Sequence, residues 1–185
     1  MNKVYVVIDT ETTGPSPLRG DRIIEIAAIP IYRGKMFVDL AFHSLVNPQI
    51  RIPAYISGIH GLKNEDVTSE PTISDVFPRF KEYLGNAIIV GHSIEVDMKF
   101  FDIACKEIGT FPLSNQYIDT LKIAKDLFKE GSYSLAELAK RLKIKDAPTH
   151  RALDDARVTG KVFLAMVKKL GGFSSIRKYV KRWRG

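Results

Sequence analysis

The stretch Val4-Tyr5-Val6-Val7-Ile8-Asp9-Thr10-Glu11-Thr12-Thr13-Gly14 decides the fold. Its first half is a nearly unbroken apolar run rich in β-branched residues. Such a run reads as a strand buried on both faces, the central kind in an α/β sheet. Asp9 and Glu11 follow at once, two residues apart, so in an extended chain both carboxylates point to one side. Two buried like charges are costly unless something positive sits between them. A divalent cation meets that need; a pair of cap residues at a strand-to-turn junction is the plainer alternative. Thr12-Thr13-Gly14 then ends the strand.

Reading outward, Asp21 to Tyr32 is a second strand with Glu25 as its one internal acid, and Met36 to Val46 a third. The three form an antiparallel meander. Residues 51–66 read as loop. A helix is expected over Ile73 to Leu84, a short buried strand over Ala87 to Val90, and a helix over Val96 to Ile108. Gln116 to Asp119 is a last short strand. Helices follow over Thr120 to Phe128 and Ser134 to Leu142, the latter with Ser134 and Glu137 at capping-box spacing. A long helix over Arg151 to Leu170 is ended by Gly171-Gly172. Strands first, then strands alternating with helices, imply a mixed sheet with helices on both faces.

The 185 residues suit one domain with its own core. No apolar run approaches the ~20 residues of a bilayer span. The chain enters its first strand directly, so no signal peptide is expected. Cys105 is the lone cysteine, which fits a reducing cytoplasm. The net charge of +7 is unevenly placed. Residues 168–185 carry Lys168, Lys169, Arg177, Lys178, Lys181, Arg182 and Arg184 without one acid, and the rest of the chain is neutral. Such a segment fits phosphate contact, a solvated helix end or a partner-docking peptide.

Two later acids also break the inside–outside rule. In the helix after Ser93 the apolar stripe is Phe100, Phe101, Ala104 and Ile108, and Asp97 falls inside it while Asp102 falls outside. An acid in a first helical turn can also simply complement the helix dipole. In the long helix Asp155 lies within the stripe of Ala152, Ala156, Thr159, Val162, Phe163 and Met166; Asp154 lies on the far side with Arg157 and Lys161. Asp9, Glu11, Asp97 and Asp155 are thus four carboxylates aimed inward from three elements. All-oxygen ligands select hard ions such as Mg²⁺ or Mn²⁺. Two such ions are the usual clamp for displacement at phosphorus. His150, just before the helix, is a candidate general base, a cap residue or an incidental surface histidine.

Three segments taken together resemble the motifs of the DEDDh family of 3′→5′ exonucleases, which includes the proofreading subunit of bacterial DNA polymerase III. They are Asp9-Thr10-Glu11-Thr12-Thr13-Gly14, then Gly91-His92-Ser93 through Asp97, then His150-Arg151-Ala152-Leu153-Asp154-Asp155-Ala156. The resemblance runs from Val4 to about Leu170. It implies an RNase H-like fold, a mixed five-stranded sheet flanked by helices on both faces. Residues 1–172 would be the exonuclease domain and residues 173–185 a basic C-terminal tail. It implies two divalent cations, Mg or Mn, on Asp9, Glu11, Asp97 and Asp155, with His150 as general base. Thr12, His60 and Phe100 would contact substrate, and Asp119 would stand behind the site. Ser93 and Val96 depart from the family's usual Asn and Phe; neither is a metal ligand. The expected activity is release of nucleoside 5′-monophosphates from single-stranded or frayed DNA 3′ ends, in proofreading or repair. Nucleic acid with a free 3′ end is the expected partner, and a DNA polymerase catalytic subunit is a candidate second one. An RNA-trimming exonuclease and a non-catalytic nucleic-acid-binding or polymerase-docking module are the alternatives.

Overall fold

A computed structural model describes residues 3–183; Arg184 of the basic segment lies outside them. β1 (Val4–Thr12) runs antiparallel to β2 (Ile23–Tyr32), with Asp9 opposite Ala27 and Glu11 opposite Glu25. β3 (Lys35–Met36) and β4 (Phe42–Leu45) both pair with β2 along its outer edge. Then come α1 (Ala54–His60), α2 (Asn64–Val67) and α3 (Ile73–Leu84). β5 (Ile88–Gly91) lies parallel to β1, and α4 (Glu95–Ile108) leads to β6 (Gln116–Asp119), parallel to β5. α5 (Thr120–Leu127), α6 (Leu135–Arg141) and α7 (Ala152–Lys169) follow. β7 (Lys181–Arg182) pairs antiparallel with β6. The sheet order is β3-β2-β1-β5-β6-β7.

β1 is covered on both faces, as its continuous apolar run requires. Val6 and Ile8 pack with Phe77 and Phe80 of α3 and with Met98 and Phe101 of α4. Tyr5 and Val7 pack on the opposite face with Val162, Phe163 and Met166 of α7 and with Ile123 of α5. The alternation continues past the apolar run. Asp9 and Glu11 share the face of Val7, toward α7; Thr10 shares the face of Ile8, toward α4. α7 lies close on the strands because its inner face is small. At Gly160 an added Cβ would lie 2.6 Å from Met36 Sδ and 3.5 Å from Val7 Cγ2. β1, β5 and β6 all end at the same edge, where Asp9, Glu11, Ser93 and Asp119 gather. Ligands enter open α/β sheets at that edge.

The structure corrects three sequence expectations. The sheet has seven strands among the described residues, not five. The third strand expected over Met36 to Val46 is broken into β3 and β4 by a 3₁₀ turn at Val38–Leu40. Pro30 of β2 explains the break: its carbonyl accepts Phe37 N–H (2.9 Å), but it has no N–H to return. Residues 51–66 are not loop, since α1 and α2 occupy them. These helices are too short to show an apolar period. They are held by burial of Ile52, Ile56, Leu62 and Val67 against Ile24.

Residues 173–183 lie against the body. A 3₁₀ turn at Ser175–Tyr179 buries Ile176 and Tyr179, and Trp183 Nε1 donates to Asp102 Oδ2 (2.8 Å). Among the described residues, no helix is long and apolar enough to cross a membrane.

Candidate active site

The acids meet at the end of β1. One oxygen from each of Asp9, Glu11 and Asp155 lies within 4.8 Å of the other two. Asp155 is 7% exposed, whereas Asp154 faces outward and pairs with Arg157. Asp97 comes from α4 on the other face of the strand. There its Oδ1 accepts a hydrogen bond from Thr10 Oγ1 at 2.6 Å. The alternation of β1 therefore sorts the four acids into three on the α7 side and one on the α4 side.

This concentration of charge shows in the acidities. Loss of solvation, then the charges of Asp97, Glu11, Asp155 and Glu25, hold Asp9 well above the usual carboxylate range. Glu11 is pushed up to about 8 by burial and by Asp155, Glu25 and Asp97, with Arg151 opposing. Asp97 is raised to about 6 by burial, against the Thr10 hydrogen bond. Burial also raises Asp155, against the Thr149 N–H that its Oδ1 accepts at 2.8 Å. Four carboxyls that resist ionisation in the free protein are the electrostatic mark of a site that a cation completes.

His150 is exposed at the mouth, directly ahead of α7, with a left-handed φ of 58°. That conformation is uncommon for a residue with a side chain and costs on the order of 1–3 kcal/mol. Ser93 at the end of β5 has the same φ of 58°. Asp119 holds it there: Oδ1 accepts both Ser93 N–H (3.0 Å) and Leu121 N–H (2.9 Å), tying the turn to the N-terminus of α5.

His60, the last residue of α1, is buried. Its Nδ1 accepts Leu62 N–H (3.0 Å), and its Nε2 is buried without a partner. Burial lowers its pKa, and Glu25, Arg151 and His150 are close enough to influence it. Thr12 donates its hydroxyl to Gly14 O (2.7 Å), closing the turn after β1. Phe100 is 3% exposed and packs in the core beneath α4, so it presents almost no surface. The apolar residues that do stand open nearby in the chain are Tyr55 and Ile59 on α1 and Val96 on α4.

Sequence reasoning passed over Glu25 and Arg151. Glu25 is fully buried in β2; its oxygens accept Arg151 Nε (3.1 Å), Arg151 Nη2 (2.9 Å) and Ala152 N–H (3.1 Å). His43 Nε2 lies 2.7 Å from Oε1. Against its own burial, the His43 and Arg151 bonds bring its pKa down to about 2. An acid inside an otherwise apolar strand was the available signal, the same one that marks Asp9.

A mixed sheet with acids gathered where its parallel strands end is the frame of an RNase H-like nuclease. The RNase_T family model, described as Exonuclease, matches residues 6–163, and the chain belongs to this exonuclease family. It is 40% identical over 173 residues to the PolC-type DNA polymerase III of Thermotoga petrophila, covering 92% of this chain and 12% of that protein. It is 37% identical over 173 residues to the 3′-5′ exonuclease DinG of Bacillus subtilis, covering 92% of this chain and 18% of DinG. The chain thus spans less than a fifth of the length of either relative. The nuclease domain of 3′hExo, a DEDDh family member bound to rAMP, has the same fold, with a TM-score of 0.80 and 17% identity over 99% of this chain and 97% of that one.

Proposed function

We propose that this chain is a metal-dependent 3′→5′ exonuclease acting on DNA ends, in proofreading or repair, and that Asp9, Glu11, Asp97 and Asp155 hold its cations. The observation that carries this reading is the meeting of Asp9, Glu11 and Asp155 oxygens within 4.8 Å, with acidities that disfavour their joint ionisation. Hard divalent ions such as Mg²⁺ or Mn²⁺ suit the all-carboxylate donor set, and when bound they supply Lewis acidity and offset charge at the phosphate.

The chain's own residues do the rest. His150 stands at the mouth, with its imidazole exposed, to take the proton of the attacking water. Attack on the terminal phosphodiester expels the 3′ oxygen of the penultimate nucleotide and frees a nucleoside 5′-monophosphate. His60 Nε2 is a buried polar atom lacking a partner, suited to a hydrogen bond with the terminal nucleotide. Exposed Ile59 and Val96 offer apolar surface to a base. Asp119 sets the Ser93 turn that leads to Asp97. A frayed or mismatched end reaches such a site at lower cost than a paired one.

Two basic side chains of the C-terminal segment stand elsewhere. Lys168 and Lys169 are exposed at the far end of α7, about 20 Å along the helix axis from Asp155. They suit contact with more distant phosphates or with a polymerase partner, not with the scissile bond.

The test is degradation of 5′-labelled single-stranded DNA and RNA oligonucleotides of one sequence, with Mg²⁺, Mn²⁺ or EDTA. The expected result is stepwise shortening of the DNA from its 3′ end with 5′-mononucleotide release, abolished by EDTA. Binding without metal-dependent release would overturn the reading. Shortening of RNA alone would overturn the DNA assignment.

A further inference from the structure

We infer that Glu25 is a positioning residue that holds the His150 backbone in its working conformation; this rests on the reading of His150 as general base. His150 lies between two clamps. On one side Thr149 N–H donates to Asp155 Oδ1 at 2.8 Å. On the other, Arg151 Nε, Arg151 Nη2 and Ala152 N–H all donate to Glu25, at 3.1, 2.9 and 3.1 Å. Between them His150 sits at φ 58°, a conformation that persists only where its surroundings impose it.

Glu25 suits this role. It is fully buried and lies near the start of β2, opposite Glu11 in the β1–β2 register. It is therefore anchored to the same rigid ladder that carries the carboxylates. The Arg151 fork fixes orientation as well as distance, which a lysine could not do. Ala152 N–H opens the 18-residue α7, so the Glu25 carboxylate also meets the positive end of that helix. His43 Nε2 at 2.7 Å completes its hydrogen bonding. A buried carboxylate this fully engaged is costly to place. It lies outside the Asp9–Glu11–Asp155 group, and what it holds is the two residues directly after His150.

The test compares kcat, KM and Mn²⁺ affinity on single-stranded DNA for wild type, Glu25→Gln, His150→Ala and the double variant. Glu25→Gln keeps the shape, and its carbonyl can still accept Arg151 Nε and Ala152 N–H where Oε2 stood, but its amide NH2 then faces Arg151 Nη2 donor to donor, so the fork is broken. The expected result, at saturating Mn²⁺, is a fall in kcat of about 10²-fold, the scale of a displaced catalytic group, with KM unchanged. The double variant should be no slower than His150→Ala alone, because Glu25 acts through His150. Arg151→Lys, which retains the charge but loses the fork, should show the same kcat loss and serves if Glu25→Gln does not fold. Additive losses in the double variant, a fall traced to weaker Mn²⁺ binding, or full-speed turnover in a folded Glu25→Gln or Arg151→Lys would each overturn the proposal. A full-speed His150→Ala would instead overturn the base assignment itself.

Discussion

Thr10 and Asp97 are joined across the end of β1 by a 2.6 Å hydrogen bond from Thr10 Oγ1 to Asp97 Oδ1. Thr10 stands between Asp9 and Glu11 in sequence but faces the other way. One short strand end thus points two acids toward α7 and positions a third, from α4, through the residue between them. Thr10→Val keeps the side-chain shape and removes the donor. The hydroxyl favours the ionised form of Asp97, so its loss should lift Asp97 above its present value of about 6. For a rise of roughly one pH unit, Mn²⁺ affinity should fall about twofold at pH 7 and recover toward wild type near pH 9, which Mn²⁺ titration at several pH values checks. An equal loss at every pH would contradict this.

Asp155→Ala and Asp154→Ala should differ sharply although the residues are neighbours. Asp155 is buried beside Asp9 and Glu11; Asp154 is paired outward with Arg157. Asp155→Ala should abolish hydrolysis while leaving the metal-free fold intact or more stable, because one of several crowded negative charges is removed. Asp154→Ala should retain near-wild-type kcat and shift stability by less than about 1 kcal/mol, as expected for a surface pair. Activity and thermal melting of the two variants decide the matter.

His150→Ala should lower kcat by about 10²–10⁴-fold at neutral pH, the range for a positioned acid–base group, with little change in melting temperature. Its ring is exposed, so no core contact is lost with it.

Stability without metal should depend on pH in a defined direction. Glu11 titrates at about 8 in the fold against 4.5 ordinarily. The folded state binds that proton more tightly, so its favourable contribution is full below about 4.5 and is lost as pH rises through about 8. Asp9 and Asp155, also raised, act in the same sense. Glu25, held at about 2, acts oppositely: its contribution is present above about 4.5 and lost as pH falls through about 2. In EDTA the melting temperature should therefore drop between about pH 4.5 and pH 8, and Mg²⁺ should cancel the drop. A melting temperature that climbs across that range in EDTA would contradict the assignment.

Much of this was legible in the sequence because it follows from periodicity. The two-residue repeat of β1 placed Asp9 and Glu11 on one side, and the helical repeat separated Asp155 from Asp154 and placed Asp97 inward. Helix α3 and strand β6 have the limits their patterns predict. What periodicity misses is set by pairing partners. The break between β3 and β4 depends on a proline in a different strand. α1 and α2 are short helices held by tertiary burial. The Glu25–Arg151 pair joins residues 126 apart in the chain, and neither local pattern names the other. The placement of Asp97 across the strand from the other three acids likewise needs the sheet before it can be seen.

The central claim is that Asp9, Glu11, Asp97 and Asp155 form one cation site. Mn²⁺ titration followed by electron paramagnetic resonance, on wild type and on the Asp9→Asn and Asp155→Asn variants, tests it most directly. Saturable Mn²⁺ binding in the wild type that is lost or greatly weakened in both variants is the predicted result. Undiminished binding in the variants, or no binding in the wild type, would contradict it.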